Sequence, residues 1–182
     1  MTKLKTGDQL PSFCFSTNEH DDLESLSILK GKTVFWVLRY IGCTVCRYDV
    51  KLIAERYQEF KDKNAQVYVL MQSDRIHVLN DLAKTDTHLP FEIITDPEMK
   101  IYELLSVEPA ESMEKLAEGV GEALREKAKL ARKAGFSHGD YEGNEQQLPA
   151  LFIVNEDGSV AYAHYAKNIM DMPSLDEVLQ ML

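Results

Sequence analysis

Apolar and polar positions along this chain form patterns that switch between strand and helix spacing. The most hydrophobic run, Thr33-Val34-Phe35-Trp36-Val37-Leu38, carries no charge. It is expected to be a strand covered by helices on both faces of a largely parallel sheet. Val50, Ile53, Ala54, Tyr57 and Phe60 then recur at three- and four-residue steps, the spacing of an amphipathic helix. Asp62-Lys63-Asn64 ends that run, and Val67-Tyr68-Val69-Leu70-Met71 predicts a second buried strand. Ser73 and Asp74 are suited to cap a helix with Ile76, Leu79 and Leu82-Ala83 on its inner face. Phe91-Glu92-Ile93-Ile94 predicts a short strand. Asp96-Pro97-Glu98 supplies a cap, a proline at the first helical position and a first-turn acid for a helix carrying Met99, Tyr102 and Leu105.

The flanking regions continue the alternation. Ser12-Phe13-Cys14-Phe15-Ser16 alternates and predicts a strand, with Cys14 opposite the two phenylalanines. Cys14 is expected to be a small packed residue, since free cysteine is often buried; a distant resolving thiol is the alternative. Asn18 to Asp22 and Lys30-Gly31-Lys32 read as turns. Residues 110–134 are rich in Ala, Glu, Lys, Leu and Arg, which predicts one helix, or two broken near Gly119 and Gly121. Residues 135–147 are polar and glycine-bearing, hence a loop. Leu151-Phe152-Ile153-Val154, a turn at Asp157-Gly158, and Val160-Ala161-Tyr162-Ala163-His164 form a hairpin signal. Ser174-Leu175-Asp176-Glu177 is a capping box opening a final helix. The chain is therefore expected to be a single α/β domain, residues 1–182, with a mixed sheet flanked by helices.

Composition narrows the function. A length of 182 residues suffices for one domain with a sizeable core. The formal charge of -10 argues against nucleic acid or an anionic membrane as partner, since both select a basic face. The first eight residues have no apolar core of a secretory signal, and no apolar stretch reaches bilayer-spanning length. A cytoplasmic location is the expectation. Three cysteines are too few for a disulfide framework, so a C-x-x-C in that setting is expected to be catalytic or metal-binding.

That pair is Cys43 and Cys46, within Arg39-Tyr40-Ile41-Gly42-Cys43-Thr44-Val45-Cys46-Arg47. It lies between the central apolar strand and the first amphipathic helix. A thiol attacks as its thiolate, and a helix N-terminus favours negative charge through its unpaired N–H groups and dipole. Cys43 is thus the expected nucleophile. Cys46, one turn on, is placed to resolve an oxidised Cys43 as a disulfide. Arg39 and Arg47 are close enough in sequence to add positive potential, although Arg47 reads equally well as an exposed surface arginine. Zinc would need about four ligands. The sequence offers no second C-x-x-C, and its five histidines are scattered, so no metal or other cofactor is expected. A chemically silent pair is the remaining alternative.

The chain resembles the thioredoxin-fold superfamily, and more narrowly the peroxiredoxin-like proteins of the alkyl hydroperoxide reductase/thiol-specific antioxidant (AhpC/TSA) group. Gly7-Asp8-Gln9-Leu10-Pro11-Ser12-Phe13 is similar to the group's opening G-x-x-x-P-x-F segment. The nine residues from Arg39 to Arg47 are similar to the R-x-x-G-C-x-x-C-R element of its C-x-x-C-bearing subgroup. The segment from Gln147 to Val160, Ala163-His164-Tyr165 and Asp171-Met172-Pro173 resemble its closing elements. The resemblance implies a thioredoxin-like fold with a helical insertion before the last hairpin, and a cis-proline facing the cysteines at Pro149. It also implies a hydroperoxide or disulfide substrate, an external dithiol reductant such as a thioredoxin-type protein, and the option of a homodimer. The usual P-x-x-x-T/S-x-x-C loop is absent. Counting back from Cys43, Tyr40 occupies its hydroxyl position and Trp36 its proline position.

Three functions follow. In the first, Cys43 attacks a peroxide and Cys46 resolves the sulfenic acid. In the second, the same pair exchanges with protein disulfides. The third is a redox-inactive binding module that uses the helical segment 110–134.

Overall fold

The computed structural model describes residues 2–182. Seven strands form one mixed sheet: β1 (Cys14–Thr17), β2 (Leu23–Glu24), β3 (Lys32–Val37), β4 (Ala65–Met71), β5 (Glu92–Thr95), β6 (Ala150–Asn155) and β7 (Val160–Tyr165). Their spatial order is β2-β1-β5-β4-β3-β6-β7. The pairs β3–β4 and β4–β5 are parallel, and the remaining pairs are antiparallel.

From Val34 to Val37 β3 is apolar because each face meets a separate layer. Val34 and Trp36 join a core with Val50, Ile53, Val78 and Val178. Phe35 and Val37 point the other way, into a core with Phe13, Phe15, Ile101 and Tyr102. Successive strand residues alternate between faces, so a single uncharged run serves both cores. The first core is roofed by α1 (Thr44–Glu55), α2 (Tyr57–Asp62), α3 (Arg75–Lys84) and α7 (Leu175–Met181). The second is closed by the N-terminal segment and α4 (Lys100–Leu104).

The insertion between β5 and β6 contains α5 (Met113–Leu116) and α6 (Gly121–Lys133). The helical segment is therefore split, with Gly119 at φ 74° in the break. α6 lies on α1. Leu124 and Ala128 pack on the first core, Ala131 is fully buried, and Lys127 Nζ pairs with Asp49 at 2.7 Å. The apolar face formed by Leu116, Val120, Leu124, Ala128 and Ala131 is thus spent inside the fold, while Met113 and Leu130 stay half exposed. Ser174 and Glu177 form the expected reciprocal capping box at α7.

Four local expectations are corrected. Cys14 is exposed, not packed, because β1 turns Phe13 and Phe15 inward and leaves the intervening residue on the outer side. α3 buries Val78 and Leu82, four residues apart, while Ile76 and Leu79 stay 69% and 45% exposed. α4 begins at Lys100 and not beside Pro97, since Met99 adopts the left-handed conformation (φ 58°). The Asp96 carboxylate still caps it, accepting the N–H groups of Lys100, Ile101 and Tyr102. There is no cis peptide bond among the described residues, so the bond before Pro149 is trans.

Candidate active site: a buried thiol pair beneath a loop

β3 ends at Val37, and the chain runs through residues 38–43 into α1. Cys43 is the N-cap of α1: its backbone is extended and its Sγ accepts the Cys46 N–H at 3.3 Å. A side chain that accepts one of the four orphan N–H groups at a helix start is the role of an N-cap, and a sulfur carrying negative charge fills it well. Cys46 Sγ lies 2.6 Å from Cys43 Sγ. Both residues are free thiols, 1% and 3% exposed respectively.

Arg39 supplies the positive charge. It is 8% exposed, and its Nη2 donates to Cys43 Sγ at 3.0 Å while its Nη1 donates to the Glu145 carbonyl at 2.6 Å. Burial alone would favour a neutral guanidine; the charge on Cys46 and Cys43 outweighs it and holds Arg39 firmly protonated. Burial also pushes the Cys43 thiol well up, helped by its hydrogen bond and repulsion with Cys46. For Cys46 burial acts the same way, but the hydrogen bond from Cys43 and the Arg39 charge overcome it and bring the thiol down to about 6. Two groups this close titrate as a unit. The pair loses one proton readily and holds the second strongly, so at neutral pH it carries a single negative charge with one shared proton.

The pair is covered by residues 137–146. Gly139 N–H donates to the Gly42 carbonyl at 2.8 Å. A Cβ on Gly42 would sit inside the carbonyl oxygen of Asp140, so only glycine lets the loop come this close. Gln72 brackets Asn144, its Oε1 accepting the Asn144 N–H at 2.5 Å and its Nε2 donating to the Asn144 carbonyl at 3.2 Å. Ser73 Oγ donates to Glu142 Oε2 at 2.6 Å and accepts the Ile41 N–H at 2.8 Å, tying loop and C-x-x-C turn to one hydroxyl. His77 stands over this junction, 2.9 Å from Asp74, 3.4 Å from Glu142 and 3.6 Å from Asp140.

Of the residues singled out in the sequence, Arg39, Cys43 and Cys46 converge. Tyr40 is buried and burial raises its phenol; its hydroxyl meets His138 Nε2 at 3.2 Å, and its ring lies 5.4 Å from the Arg39 guanidinium. Arg47 does not join them. It is buried, with Nε on Asp81 at 2.6 Å, Nη2 on Thr85 and Thr87, and its guanidinium 4.6 Å from the Phe136 ring. Pro149 is buried one step beyond the Val37–Ala150 pair, in the register position opposite Leu38. The sequence carries no signal for Gln72 and Glu142, and it marks Ser73 only as a helix cap and Gly42 only as part of the C-x-x-C element, since nothing local links residues about seventy to a hundred positions apart. Two groups, Glu19/His20/Glu92 and Asp74/His77/Glu142, have donor atoms close enough to hold a cation. Neither contains a cysteine, and their members also satisfy one another as ion pairs.

No helix is long and apolar enough to cross a membrane among the described residues. No curated protein matches the chain by sequence. Among solved structures, it is similar over 99% of its length to a peroxiredoxin-like protein from Aquifex aeolicus, covering 86% of that chain at TM-score 0.67 and 17% identity. A yeast mitochondrial 1-Cys peroxiredoxin is 14% identical (97% of this chain, 73% of that one, TM-score 0.67). A reduced Plasmodium vivax 2-Cys peroxiredoxin is 12% identical (98% and 80%, TM-score 0.67). These likenesses place the chain in the peroxiredoxin variant of the thioredoxin-like fold. In sequence, residues 52–168 match the family described as AhpC/TSA antioxidant enzyme. That stretch begins after Cys46, so the match rests on the scaffold and not on the thiols. With nearly two thirds of its sequence in that pattern and its whole length in the matching fold, the chain belongs to the AhpC/TSA antioxidant enzyme family.

Proposed function

We propose that this protein is a thiol-dependent peroxidase in which Cys43 is the nucleophile and Cys46 the resolving thiol. The observation that carries the reading is the Arg39 guanidinium donating to Cys43 Sγ inside a site closed to bulk solvent. A thiolate held there is stabilised without hydration, and electrostatic contacts act more strongly in the absence of water. Arg39 Nε has no hydrogen-bond partner, which leaves one N–H on the same guanidinium for a substrate oxygen.

The chemistry balances within the pair. The pair's single proton, which Cys43 donates towards Cys46 at rest, passes to Cys46; the Cys43 thiolate so formed attacks the distal oxygen of ROOH, the O–O bond breaks, and the leaving alkoxide takes that proton from Cys46 to become ROH. Cys43 is now a sulfenic acid and Cys46 a thiolate. Cys46 attacks Cys43 sulfur, forms the disulfide and expels hydroxide, which solvent protonates to water. An external dithiol then reduces the disulfide by thiol exchange and is itself oxidised. The sulfurs lie 2.6 Å apart, so closing to a bond of about 2.05 Å needs little movement. The geometry favours a peroxide over a protein disulfide. A small peroxide needs only a narrow path past residues 137–146, whereas thiol exchange with a protein needs Cys43 at the surface. The insertion supports an enzyme over a binding module, because α6 uses its apolar side against α1.

Single-cysteine variants test the assignment. Cys43→Ser is expected to abolish peroxide turnover. Cys46→Ser is expected to leave a single turnover and a sulfenic acid that dimedone traps on Cys43. Wild-type thiols that survive peroxide unchanged while reacting with oxidised protein substrates would replace the peroxidase with an oxidoreductase.

A further inference from the structure

Gln72 touches Arg39 at the backbone and also holds the residue next to the one that seats the Arg39 guanidinium. It follows Met71, the last residue of β4, and its N–H donates to the Arg39 carbonyl at 2.8 Å, continuing the parallel β3–β4 pairing past the end of both strands. Its side chain engages Asn144: Oε1 accepts the Asn144 N–H at 2.5 Å and Nε2 donates to the Asn144 carbonyl at 3.2 Å. That carbonyl belongs to the peptide unit leading into Glu145, whose own carbonyl accepts Arg39 Nη1 at 2.6 Å. Arg39, Gln72, Asn144 and Glu145 thus form a closed circuit, which starts at the backbone of Arg39 and returns to its guanidinium. The other arm of that guanidinium, Nη2, is the donor to Cys43 Sγ.

The circuit is built for position. Gln72 is 1% exposed, and both polar atoms of its side chain are paired. A primary amide offers an acceptor and a donor side by side, which matches the N–H and carbonyl of one backbone residue. Gly143 makes the room: its backbone is left-handed (φ 61°), and a Cβ there would overlap Gln72 Oε1. The flanking ties to the rest of the fold are Ser73 Oγ on Glu142 and the Ala110 N–H on the Gln146 carbonyl at 2.9 Å. They anchor the loop on either side of Asn144 and Glu145, so loosening the Gln72 clamp frees the Glu145 carbonyl without releasing the loop.

We propose that Gln72 is a positioning residue for the thiol pair: through Asn144 and the Glu145 carbonyl it fixes the Arg39 guanidinium on Cys43 Sγ, and so sets how readily the pair ionises. This role rests on the reading of Cys43 and Cys46 as the reacting pair, and is independent of the oxidant they meet.

The test is thiolate absorbance near 240 nm followed against pH, together with thermal unfolding, on the full-length protein. Gln72→Met keeps an unbranched side chain of similar length and the backbone bond to Arg39, while removing both contacts to Asn144. It is expected to raise the first thiol ionisation from about 6 by about one pH unit, the lower end of what an opposite charge beside a titrating group contributes. Gly143→Ala, which forces the same clamp open from the loop side, should move it in the same direction. In an Arg39→Met background Gln72→Met should move it no further, because residues that act through one another are non-additive. A lower unfolding temperature with an unchanged midpoint would make Gln72 merely structural and overturn the role. An equal shift with and without Arg39 overturns it too, since the clamp would then act on the thiols by another route. Peroxide consumption by the wild type is read separately. A shifted midpoint in Gln72→Met beside a wild type inert to peroxide supports the positioning role and removes the peroxidase assignment.

Discussion

Arg39 and Cys43 are four residues apart in a turn, and the guanidinium of the first lies 3.0 Å from the sulfur of the second. The contact persists because Arg39 is held at its other end by the Glu145 carbonyl, 106 positions away. A loop from the far part of the chain therefore sets the position of the charge that ionises the thiols.

The first prediction follows from that charge. Replacing Arg39 with Met should move the first thiol ionisation from about 6 towards the ordinary cysteine value of about 8.5. Fewer thiolates at neutral pH should lower the peroxide rate constant by at least about tenfold. Thiolate absorbance near 240 nm followed against pH reads the ionisation directly. An unchanged titration midpoint would remove Arg39 from the role given to it.

The loop over the site makes a second prediction. Gly42→Ala places a methyl group against the Asp140 carbonyl and the Gly139 backbone, so residues 138–141 should lift and the Gly139 N–H should lose its bond to Gly42, while Gln72 still holds Asn144 and with it the Glu145 carbonyl that seats Arg39. The expected result is faster amide exchange at Gly139 and faster reaction of the cysteines with bulky disulfide reagents. Reaction with hydrogen peroxide, which needs no such opening, should change much less. Equal acceleration of both reagents would mean that the loop does not gate by size.

His77 adds a pH dependence to the same loop. The hydrogen bond to Asp74 raises its pKa above 6.5; burial opposes the rise, and the charges of Glu142, Asp74 and Asp140 add to it. For a raised histidine the stabilisation is fully present below the unfolded value and is lost as pH rises through the folded value. The loop should thus be held most tightly below pH 6.5 and loosen above it. Exchange at Gly139, corrected for the intrinsic base-catalysed rate, should accelerate over that range in the wild type. His77→Gln should show no such inflection; an inflection that survives in the variant would assign it to another group.

Much of this architecture was legible in the sequence because local physics dictates it. The uncharged run of β3, the helix spacing after Cys46 and the capping box at Ser174 each need only neighbouring residues to be read. The thiol pair fell at the N-terminus of α1 as the strand-to-helix switch implied. What escaped was decided by distant partners. Val78 and Leu82 have the same helical spacing as other apolar residues of α3, and only the position of the core chooses between them. Arg47 looks like an activating arginine until Asp81, Thr85 and Thr87 are brought against it by α3 and the turn after it. The polar stretch 135–147 read as an ordinary loop, because its ties to Gln72 and Ser73 have no local signature.

A last prediction concerns Tyr102, which supports the site from below. It is 1% exposed, and its hydroxyl donates to the Leu38 carbonyl at 2.5 Å, with the carbonyls of Leu70 and Arg39 at 3.2 and 3.4 Å. Burial pushes the phenol well above its ordinary range, so it stays a donor at any pH the protein meets. Leu70 and Arg39 have other donors, the Leu38 and Gln72 N–H groups, and Leu38 is the carbonyl that depends on Tyr102. Tyr102→Phe leaves it buried without a partner, which should cost about 1–3 kcal/mol. For a domain of this size that is a fall of roughly 2–4 °C in Tm per kcal/mol. Because the ring still fills its place, the Cys43–Arg39 contact should survive and the first thiol ionisation should stay near 6. Thermal unfolding and the thiolate titration, measured on the same variant, separate the two effects. A shifted titration with unchanged stability would mean that Tyr102 acts on the thiols and not on the turn that carries them.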